Sequence, residues 1–297
     1  MRAISTLILA VSLVFAVAPL SHAETKANGF VIMFTDYDTD SIYVGELKGA
    51  IYAMHPNVRI DTLTNSVPNY DIVAGAYMLV EGCLTFPAGT TFVCVVDPGV
   101  GTKRRPIALE TKNGLRFVAP DNGLLTLVAQ RYGVAEVREC TNKELWRASE
   151  LSYTFHGRDV FGPVSGALAD GVPMEKVGPV VTDMVMLELG TSVIEGDSVT
   201  GEVVRTDHYG NIVTNITVGD MEKLGLKRGD SISVTLGKTS FTAPFVETYA
   251  NVPQGNRLVA IQSAGYVELA VNMGSLTEES GEGEHAKVVL KKAPAAK

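Results

Sequence analysis

The fold is decided by the stretch FVIMFTDYDTDSIYVGELKGAIYAM, residues 30–54. Its first five residues are apolar without interruption, which is typical of a strand buried on both faces. A polar loop from Thr35 to Asp40 follows, and the apolar residues after it recur at helical spacing, at Val44, Leu47, Ile51 and Met54. A buried strand, a polar loop and a helix in this order predict the first unit of an open α/β sheet.

The same alternation continues to about residue 187. It predicts strands at 58–63, 91–96, 107–110 and 116–119, and helices at about 71–84 and 124–132. Beyond this point, short strands bounded by turn residues are predicted at 198–205, 212–217, 231–236, 258–261 and 266–271. We therefore expect an α/β domain over residues 24–187 and a smaller, mostly β domain over residues 188–297. Residues 278–284 and the end from Lys291 are expected to be solvated and mobile.

The first 23 residues differ from the rest of the chain. Met1-Arg2 supplies positive charge, residues 4–20 are almost uncharged and apolar, and Ser21-His22-Ala23 has the small-residue spacing that signal peptidase cleaves. We expect a signal peptide at residues 1–23, cleavage after Ala23, and a periplasmic or secreted protein. A transmembrane helix is the alternative, because the apolar stretch has about the minimum length of a span. The polar residues 24–26 favour cleavage.

Charge and cysteine content limit the partners. Losing Arg2 with the leader takes Lys plus Arg from 25 to 24 against 33 acidic residues, a formal net charge of −9. An acidic chain disfavours nucleic acid as a partner and suits a cationic small molecule. The spacing of Cys83, Cys94 and Cys140 matches no metal motif, and no metal site is expected. Cys94 is typical of a buried thiol, and a Cys83–Cys140 disulfide is compatible with an oxidising compartment.

Three loops are expected at the ligand-binding edge of the sheet. In open α/β sheets the ligand lies beyond the carboxyl ends of the strands. This rule selects Thr35–Ser41, Asp97–Arg105 and Pro120–Gly123, which are rich in Asp, Gly and Asn. Such residues tolerate unusual backbone dihedrals and can direct carboxylates into a cleft.

The loop Asp97–Arg105 follows a buried strand and is rich in glycine. It lacks the Walker spacing and the GxGxxG pattern, so phosphate binding is only weakly indicated. A tight turn that carries an exposed basic pair is an alternative of equal standing on the local pattern. The carboxylate of Asp97 at the strand end is the stronger functional candidate.

The segment Phe155–Pro163 contains the leading histidine candidate. Of the four histidines after the leader, His156 alone is flanked by glycine, aromatic and charged residues ahead of an apolar helix. A structural histidine is the alternative, with Arg158-Asp159 as an ion pair at the start of that helix.

Four motifs together carry a resemblance to a known family. They are Asp97–Arg105, Ala119–Gly123, Phe155–Pro163 and Asp207–Asn211, in the same order as in that family. From about Gly29 to Leu290 the chain resembles the S-adenosyl-L-methionine (SAM) hydroxide adenosyltransferases, relatives of the fluorinating and chlorinating enzymes. The resemblance implies a Rossmann-like N-terminal domain with an open, mostly parallel sheet and a C-terminal β-barrel-like domain. It also implies a homotrimer whose active sites lie between neighbouring subunits.

The resemblance also implies a reaction and the residues that perform it. Water would attack C5′ of the ribose and release adenosine and L-methionine, without a cofactor or metal. The implied catalytic residues are Asp97, Arg104 and His156, with Arg104 stabilising developing hydroxide and His156 accepting or relaying a proton. The implied substrate-binding residues are Asp36 (ribose hydroxyls), Tyr70 (nucleoside face), Asp207 (methionine ammonium), Tyr209 (base), Asn211 (adenine edge) and Ser263 (methionine carboxylate).

The sequence departs from the family pattern at three positions. Asp38 stands where many relatives have Gly, Ser41 where they have Asp, and Ala264 where the halogenating branch has Arg. That branch also replaces the Asp and His of the catalytic trio, and this chain keeps both, which favours hydroxide over halide. The alternatives are a secreted nucleoside-binding protein without catalysis and a halide-using SAM transferase.

Overall fold

The computed structural model describes residues 25–148 and 151–294. The predicted leader, residues 1–23, lies outside these ranges. The first sheet has six strands in the order β2-β1-β3-β5-β4-β6. Its strands are β1 (Phe30–Thr35), β2 (Arg59–Thr64), β3 (Thr91–Val95), β4 (Pro106–Thr111), β5 (Arg116–Pro120) and β6 (Val134–Glu139).

Strand β1 is apolar throughout because helices cover both faces of this sheet. The helices are α1 (Ile42–Met54), α2 (Ile72–Gly82), α3 (Thr126–Tyr132) and α4 (Gly162–Ala169). Val31 and Met33 pack in the core beneath α1 and α4, whereas Ile32 and Phe34 pack beneath α2 and α3. Strands β2, β1, β3 and β5 pair in parallel, and β4 is antiparallel to both β5 and β6. The predicted α/β fold with a mostly parallel sheet is confirmed.

The second sheet is antiparallel and nearly closes into a barrel. It has the order β11-β10-β14-β8-β9-β13-β12, with β7 paired to β8. A bridge between Phe245 and Val259 links its two edges. Its elements are β7 (Val193–Glu195), β8 (Ser198–Thr206), β9 (Ile212–Thr217), α5 (Val218–Lys223), β10 (Ser231–Leu236), β11 (Thr239–Pro244), β12 (Arg257–Ile261), β13 (Tyr266–Val271), α6 (Leu276–Ser280) and β14 (Lys287–Lys292).

Lys291 and Lys292 are exposed, as expected of a solvated segment, but they are the last two residues of β14 and not part of an irregular tail. This strand lies between β8 and β10, and its Val288 and Leu290 are fully buried. These are the only two fully buried residues of β14, and the lysines on either side of them give the segment a solvated character in the sequence.

The domain boundary at residue 187 stays a prediction, since the first sheet ends at Glu139 and the second begins at Val193.

The three cysteines are free and buried. Cys83 and Cys94 lie in the core beneath α2 and α3, and Cys140 lies in the core on the opposite face of the sheet. The sheet therefore separates Cys83 from Cys140, and these residues form no disulfide. Among the described residues, no cluster of His, Cys, Asp and Glu is arranged to hold a metal ion. No helix in the same ranges has the length and apolar character needed to cross a membrane.

Candidate active site

A cleft of about 570 Å³ lies at the carboxyl ends of β1 and β3. The chain passes from β1 to β2 on one side and later enters β3 on the other, so the loops that follow β1 and β3 diverge at this point. Such a switch point is the usual ligand position in open α/β sheets. The cleft is lined by residues of four segments, among them Asp36, Tyr37, Tyr70, Asp97, Phe155 and His156.

Asp97, Arg104 and His156 form one contact group at this cleft. Nε of Arg104 lies 3.0 Å from Oδ1 of Asp97, and Nη2 lies 2.5 Å from Oδ2. The same Nη2 lies 2.8 Å from Nδ1 of His156. The Asp97 and Arg104 side chains are only 5% and 8% exposed, and the guanidinium also lies 5.0 Å from the centre of the Phe161 ring. The alternative of an exposed basic pair is therefore wrong for Arg104.

The guanidinium fixes the protonation state of His156. Arg104 has only N–H donors, so Nδ1 of His156 must accept, and the proton of the neutral ring is on Nε2. Burial and the neighbouring Arg104 cation lower the pKa of His156 below its ordinary value. His156 is thus neutral at pH 7 with its proton on Nε2, although a backbone hydrogen bond with Ser152 opposes the lowering of its pKa.

Asp36 directly follows β1 and lines the cleft together with Asp97. Its Oδ2 accepts a hydrogen bond of 3.1 Å from the backbone N–H of Tyr70. Burial raises the pKa of Asp36, and the negative charge of Asp97 adds to this effect. Tyr70 has a left-handed φ of 66° and a ring that is 72% exposed, so the loop holds the N–H against Asp36 while leaving the ring free.

The departure at Asp38 has a backbone explanation. Asp38 adopts a left-handed φ of 68°, a conformation that glycine adopts without strain. Its backbone N–H donates to the carbonyl of Asn65 at 2.8 Å, and its Oδ1 accepts from the backbone N–H of Thr39. Aspartate tolerates this region because its short side chain bonds locally.

Two aromatic residues of the cleft were not predicted as site residues. Tyr37 and Tyr43 pack edge-to-face against Phe155, with ring centres 5.6 Å and 5.2 Å apart. Tyr43 lies in the first turn of α1, on the side of the helix that faces away from the core. For Tyr43, the signal in the sequence that could have indicated a site residue was an aromatic residue shortly after the polar loop.

A buried carboxylate supports the segment that carries His156. Asp159 lies in a π-helical turn, Gly157–Phe161, which runs directly into α4. It accepts hydrogen bonds from Nε of Arg158 at 2.7 Å, from Arg147 at 3.2 Å and from the backbone N–H of Ser152 at 3.0 Å. Arg158 also pairs with Glu46 of α1. The expected Arg158–Asp159 ion pair is therefore present, and it connects the His156 segment to α1.

The third predicted loop, Pro120–Gly123, does not line the cleft. Asp121 is buried, pairs with Arg105 at 2.6 Å and accepts from the backbone N–H of Val185. The amide of Asn122 donates to the carbonyl of Val96. The prediction that this loop faces the cleft is wrong, because Asp121 holds Arg105 and the chain at Val185, whereas Asn122 holds the backbone that follows β3.

The four predicted residues of the β domain lie outside the cleft of their own chain. Asp207 and Asn211 belong to the β8–β9 turn, where Asp207 accepts from the backbone N–H groups of Tyr209 and Asn211. The Tyr209 ring is 74% exposed, and Ser263 is exposed in the β12–β13 turn. The structure therefore brings Asp36, Tyr70, Asp97 and His156 together around the cleft and places Arg104 behind them.

A cleft at the switch point of a parallel sheet, lined by carboxylates, an imidazole and aromatic rings, defines an α/β protein with a site for a small polar ligand. Comparison with known proteins identifies the family. Residues 31–178 match the model of the SAM hydroxide adenosyltransferase N-terminal domain, and residues 201–289 match that of its C-terminal domain. The chain belongs to the SAM hydroxide adenosyltransferase family.

Relatives of two functions are similar to this chain. An (R)-S-adenosyl-L-methionine hydrolase of Salinispora arenicola is 38% identical over 243 residues, covering 81% of this chain and 89% of that protein. A fluorinase of Actinoplanes sp. is 30% identical over 279 residues, covering 84% and 93%. The crystal structure of an uncharacterized conserved protein from Thermotoga maritima superimposes with a TM-score of 0.85 at 38% identity, covering 88% of this chain and all of that chain.

Proposed function

We propose that this chain hydrolyses SAM to adenosine and L-methionine. The observation that carries the proposal is the contact group of Asp97, Arg104 and His156 at the floor of the cleft. It provides a buried cation within hydrogen-bonding distance of both a carboxylate and a neutral imidazole. This combination suits the activation of a water molecule, and the Salinispora arenicola hydrolase described above aligns with 81% of this chain at 38% identity.

The proposed reaction is a single displacement. The water oxygen forms a bond to C5′ as the C5′–S bond breaks, and that electron pair returns to sulfur, which becomes neutral in methionine. Charge on the sulfonium disappears in the transition state, so the reaction needs no electrophilic metal and no cofactor. The developing hydroxide is the group that needs stabilisation.

The roles within the trio follow from its hydrogen bonds. Nδ1 of His156 is occupied by Arg104, so we assign His156 as a donor through Nε2 to the attacking oxygen. Among the described residues, Oδ1 of Asp97 accepts only from Nε of Arg104, so it keeps a lone pair for the proton that the water loses. Arg104 stabilises the resulting negative charge as a permanent cation. Asp36 would hold the ribose hydroxyls, because its carboxylate lines the cleft and the backbone N–H of Tyr70 occupies only its Oδ2.

We also propose that the active site is completed by a neighbouring subunit of a homotrimer. The cleft of a single chain is not lined by the four predicted site residues of the β domain, Asp207, Tyr209, Asn211 and Ser263. The rings of Tyr70 at the cleft and Tyr209 in the β domain are both exposed, so both can contact a neighbouring subunit. Mixing Arg104→Ala with Tyr209→Ala subunits tests this arrangement. A hybrid trimer would contain sites with two intact halves and recover activity. A monomer in solution, or no recovery after subunit exchange, would refute it.

The experiment for the reaction is incubation of purified protein with SAM in ¹⁸O-labelled water, with and without chloride. Adenosine that carries ¹⁸O at the 5′ position is the expected product in both cases. A 5′-chlorinated nucleoside would identify a halide transferase. Tight nucleoside binding without product would identify a binding protein. Either result would contradict the proposal.

Export is a separate proposal, supported by the residue pattern of the leader. Cleavage after Ala23 predicts that protein from the native host begins at or near Glu24 and fractionates outside the cytoplasm. Amino-terminal sequencing of fractionated protein measures both. An intact Met1 on a cytoplasmic protein would exclude export.

A further inference from the structure

The hydroxyl of Tyr37 is a polar group of the cleft that the Asp97–Arg104–His156 chemistry leaves unused. Its ring is held edge-on by Tyr43 and Phe155, which fixes where the hydroxyl points. Tyr37 lines the cleft beside Asp36 and Asp97. Among the described residues, this hydroxyl makes no hydrogen bond to a protein group. A hydroxyl that is fixed in position in a ligand cleft and has no protein partner is available to donate to the ligand or to the reacting water.

Gly157 marks the position of this hydroxyl relative to the trio. A β-carbon built on Gly157 would overlap the Tyr37 oxygen. The hydroxyl therefore lies against the backbone of the residue that directly follows His156, in the space that a side chain at position 157 would fill. Tyr37 and His156 therefore lie next to each other among the residues that line the cleft.

The surroundings keep the phenol protonated. Burial raises the pKa of Tyr37 far above its ordinary value, and the carboxylates of Asp36 and Asp97 raise it further, against a smaller opposing effect of Arg104. Neither carboxylate takes the hydroxyl proton in a hydrogen bond. The group is consequently a neutral donor at neutral pH.

We propose that Tyr37 is a further catalytic residue, whose hydroxyl donates a hydrogen bond to the oxygen of the attacking water. The proposal rests on the hydrolase function proposed above. A neutral donor aimed at this oxygen strengthens its bond as the oxygen gains negative charge, so it favours the transition state over the ground state. It would act beside Nε2 of His156, with both donors on one oxygen and the proton leaving toward Asp97.

The substitution Tyr37→Phe removes only the oxygen and keeps the aromatic packing. We expect kcat to fall on the order of tenfold or more while KM changes by less than about twofold, because the lost bond forms fully only in the transition state. Tyr52→Phe is the matched control, because Tyr52 lies on α1 outside the cleft. A normal kcat in Tyr37→Phe, or a rise in KM alone, would overturn the assignment.

Product binding gives a second readout that does not depend on turnover. The 5′-oxygen of adenosine is the former water oxygen, so Tyr37 should contact it in the product complex. Calorimetry should show that wild-type protein binds adenosine more tightly than 5′-deoxyadenosine, and that Tyr37→Phe loses about fivefold or more of this preference. An unchanged preference would refute the contact even if hydrolysis were confirmed. If wild-type protein produced no adenosine, the proposed function would fail first and this assignment with it.

Discussion

Nη2 of Arg104 lies 2.8 Å from Nδ1 of His156 and 2.5 Å from Oδ2 of Asp97, so one guanidinium nitrogen joins the imidazole to the carboxylate. Each of its two protons is engaged, one by each neighbour. Protonation of His156 at Nδ1 would replace an acceptor with a donor facing Arg104. The trio is therefore intact only while His156 is neutral.

This relationship predicts an acid limit for activity. Burial and Arg104 hold the pKa of His156 below its ordinary value of 6.5, so the neutral, active form persists below pH 6.5 and is lost only as the pH falls through the lowered pKa. The pH profile of kcat/KM should show this inflection below 6.5. A profile of His156→Gln identifies the part due to His156, since any acid limb that remains belongs to carboxylates such as Asp36. An inflection above 6.5 that disappears in the variant would contradict the assigned protonation state.

Asp36 and Arg104 are expected to separate binding from chemistry. Asp36→Ala should chiefly weaken substrate binding, because the ribose contact exists before and during the reaction. Arg104→Ala should lower turnover on the order of a hundredfold while affinity is largely kept, because the charge it stabilises develops only as the water reacts. Calorimetric affinities and single-turnover rates measure the two effects.

The Arg104 substitution also carries a stability effect that must be controlled. Removing Arg104 leaves the carboxylate of Asp97 buried without its cation, which costs about 3–5 kcal/mol of unfolding free energy. Arg104→Lys is the matched variant, since it keeps the charge but cannot bridge both neighbours. A near-normal rate in folded Arg104→Ala and in His156→Ala would exclude the proposed mechanism.

Asp159 offers a test of the support beneath His156. Burial would raise the pKa of Asp159, but hydrogen bonds from Arg158 and Ser152 outweigh it and hold the pKa below its ordinary value. Asp159→Asn should lower the free energy of unfolding by about 1–3 kcal/mol at neutral pH. The difference from wild type should shrink as the pH falls through the lowered pKa, because protonated Asp159 resembles the amide.

Chemical denaturation at several pH values measures this dependence. Asp197→Asn is the control, since Asp197 is exposed between β7 and β8. An equal effect of the two substitutions would show that Asp159 does not stabilise the segment.

A helix or strand could be predicted where its apolar residues recur at a regular spacing along the sequence. Strand β1 and helix α1 were predictable because their core positions recur without interruption. Strand β14 was not, because Val288 and Leu290 are the only inward residues of a lysine-rich segment, and their burial depends on pairing with β8 and β10. Long-range pairing of this kind leaves little trace in local sequence.

The candidate site, like the fold, could be predicted from the sequence only in part. The position of Asp97 after a buried strand was readable from the pattern alone, and the roles of Arg104 and His156 came from resemblance to a family. The structural use of Asp121 was not visible, because a carboxylate in a loop looks the same whether it faces a ligand or Arg105. Tyr37 was missed because only the fold places its hydroxyl against Gly157.

The geometry behind the Tyr37 assignment can be tested by adding one methyl group. Gly157→Ala alone places a β-carbon against the Tyr37 hydroxyl, so the ring must shift and the free energy of unfolding should fall by about 1–3 kcal/mol. In Tyr37→Phe protein the oxygen is absent, and the nearest atoms to the new methyl become Cε2 of Phe155 at 3.2 Å and Cζ of the ring at 3.3 Å. The methyl should then be tolerated with a loss below about 1 kcal/mol, which gives a coupling between the two substitutions of about 1 kcal/mol or more. Gly45→Ala is the control, because a β-carbon there meets open space and should show no coupling with Tyr37→Phe. Equal destabilisation by Gly157→Ala in both backgrounds, measured by urea denaturation, would mean that the hydroxyl does not occupy this space and would remove the basis for its contact with the attacking water.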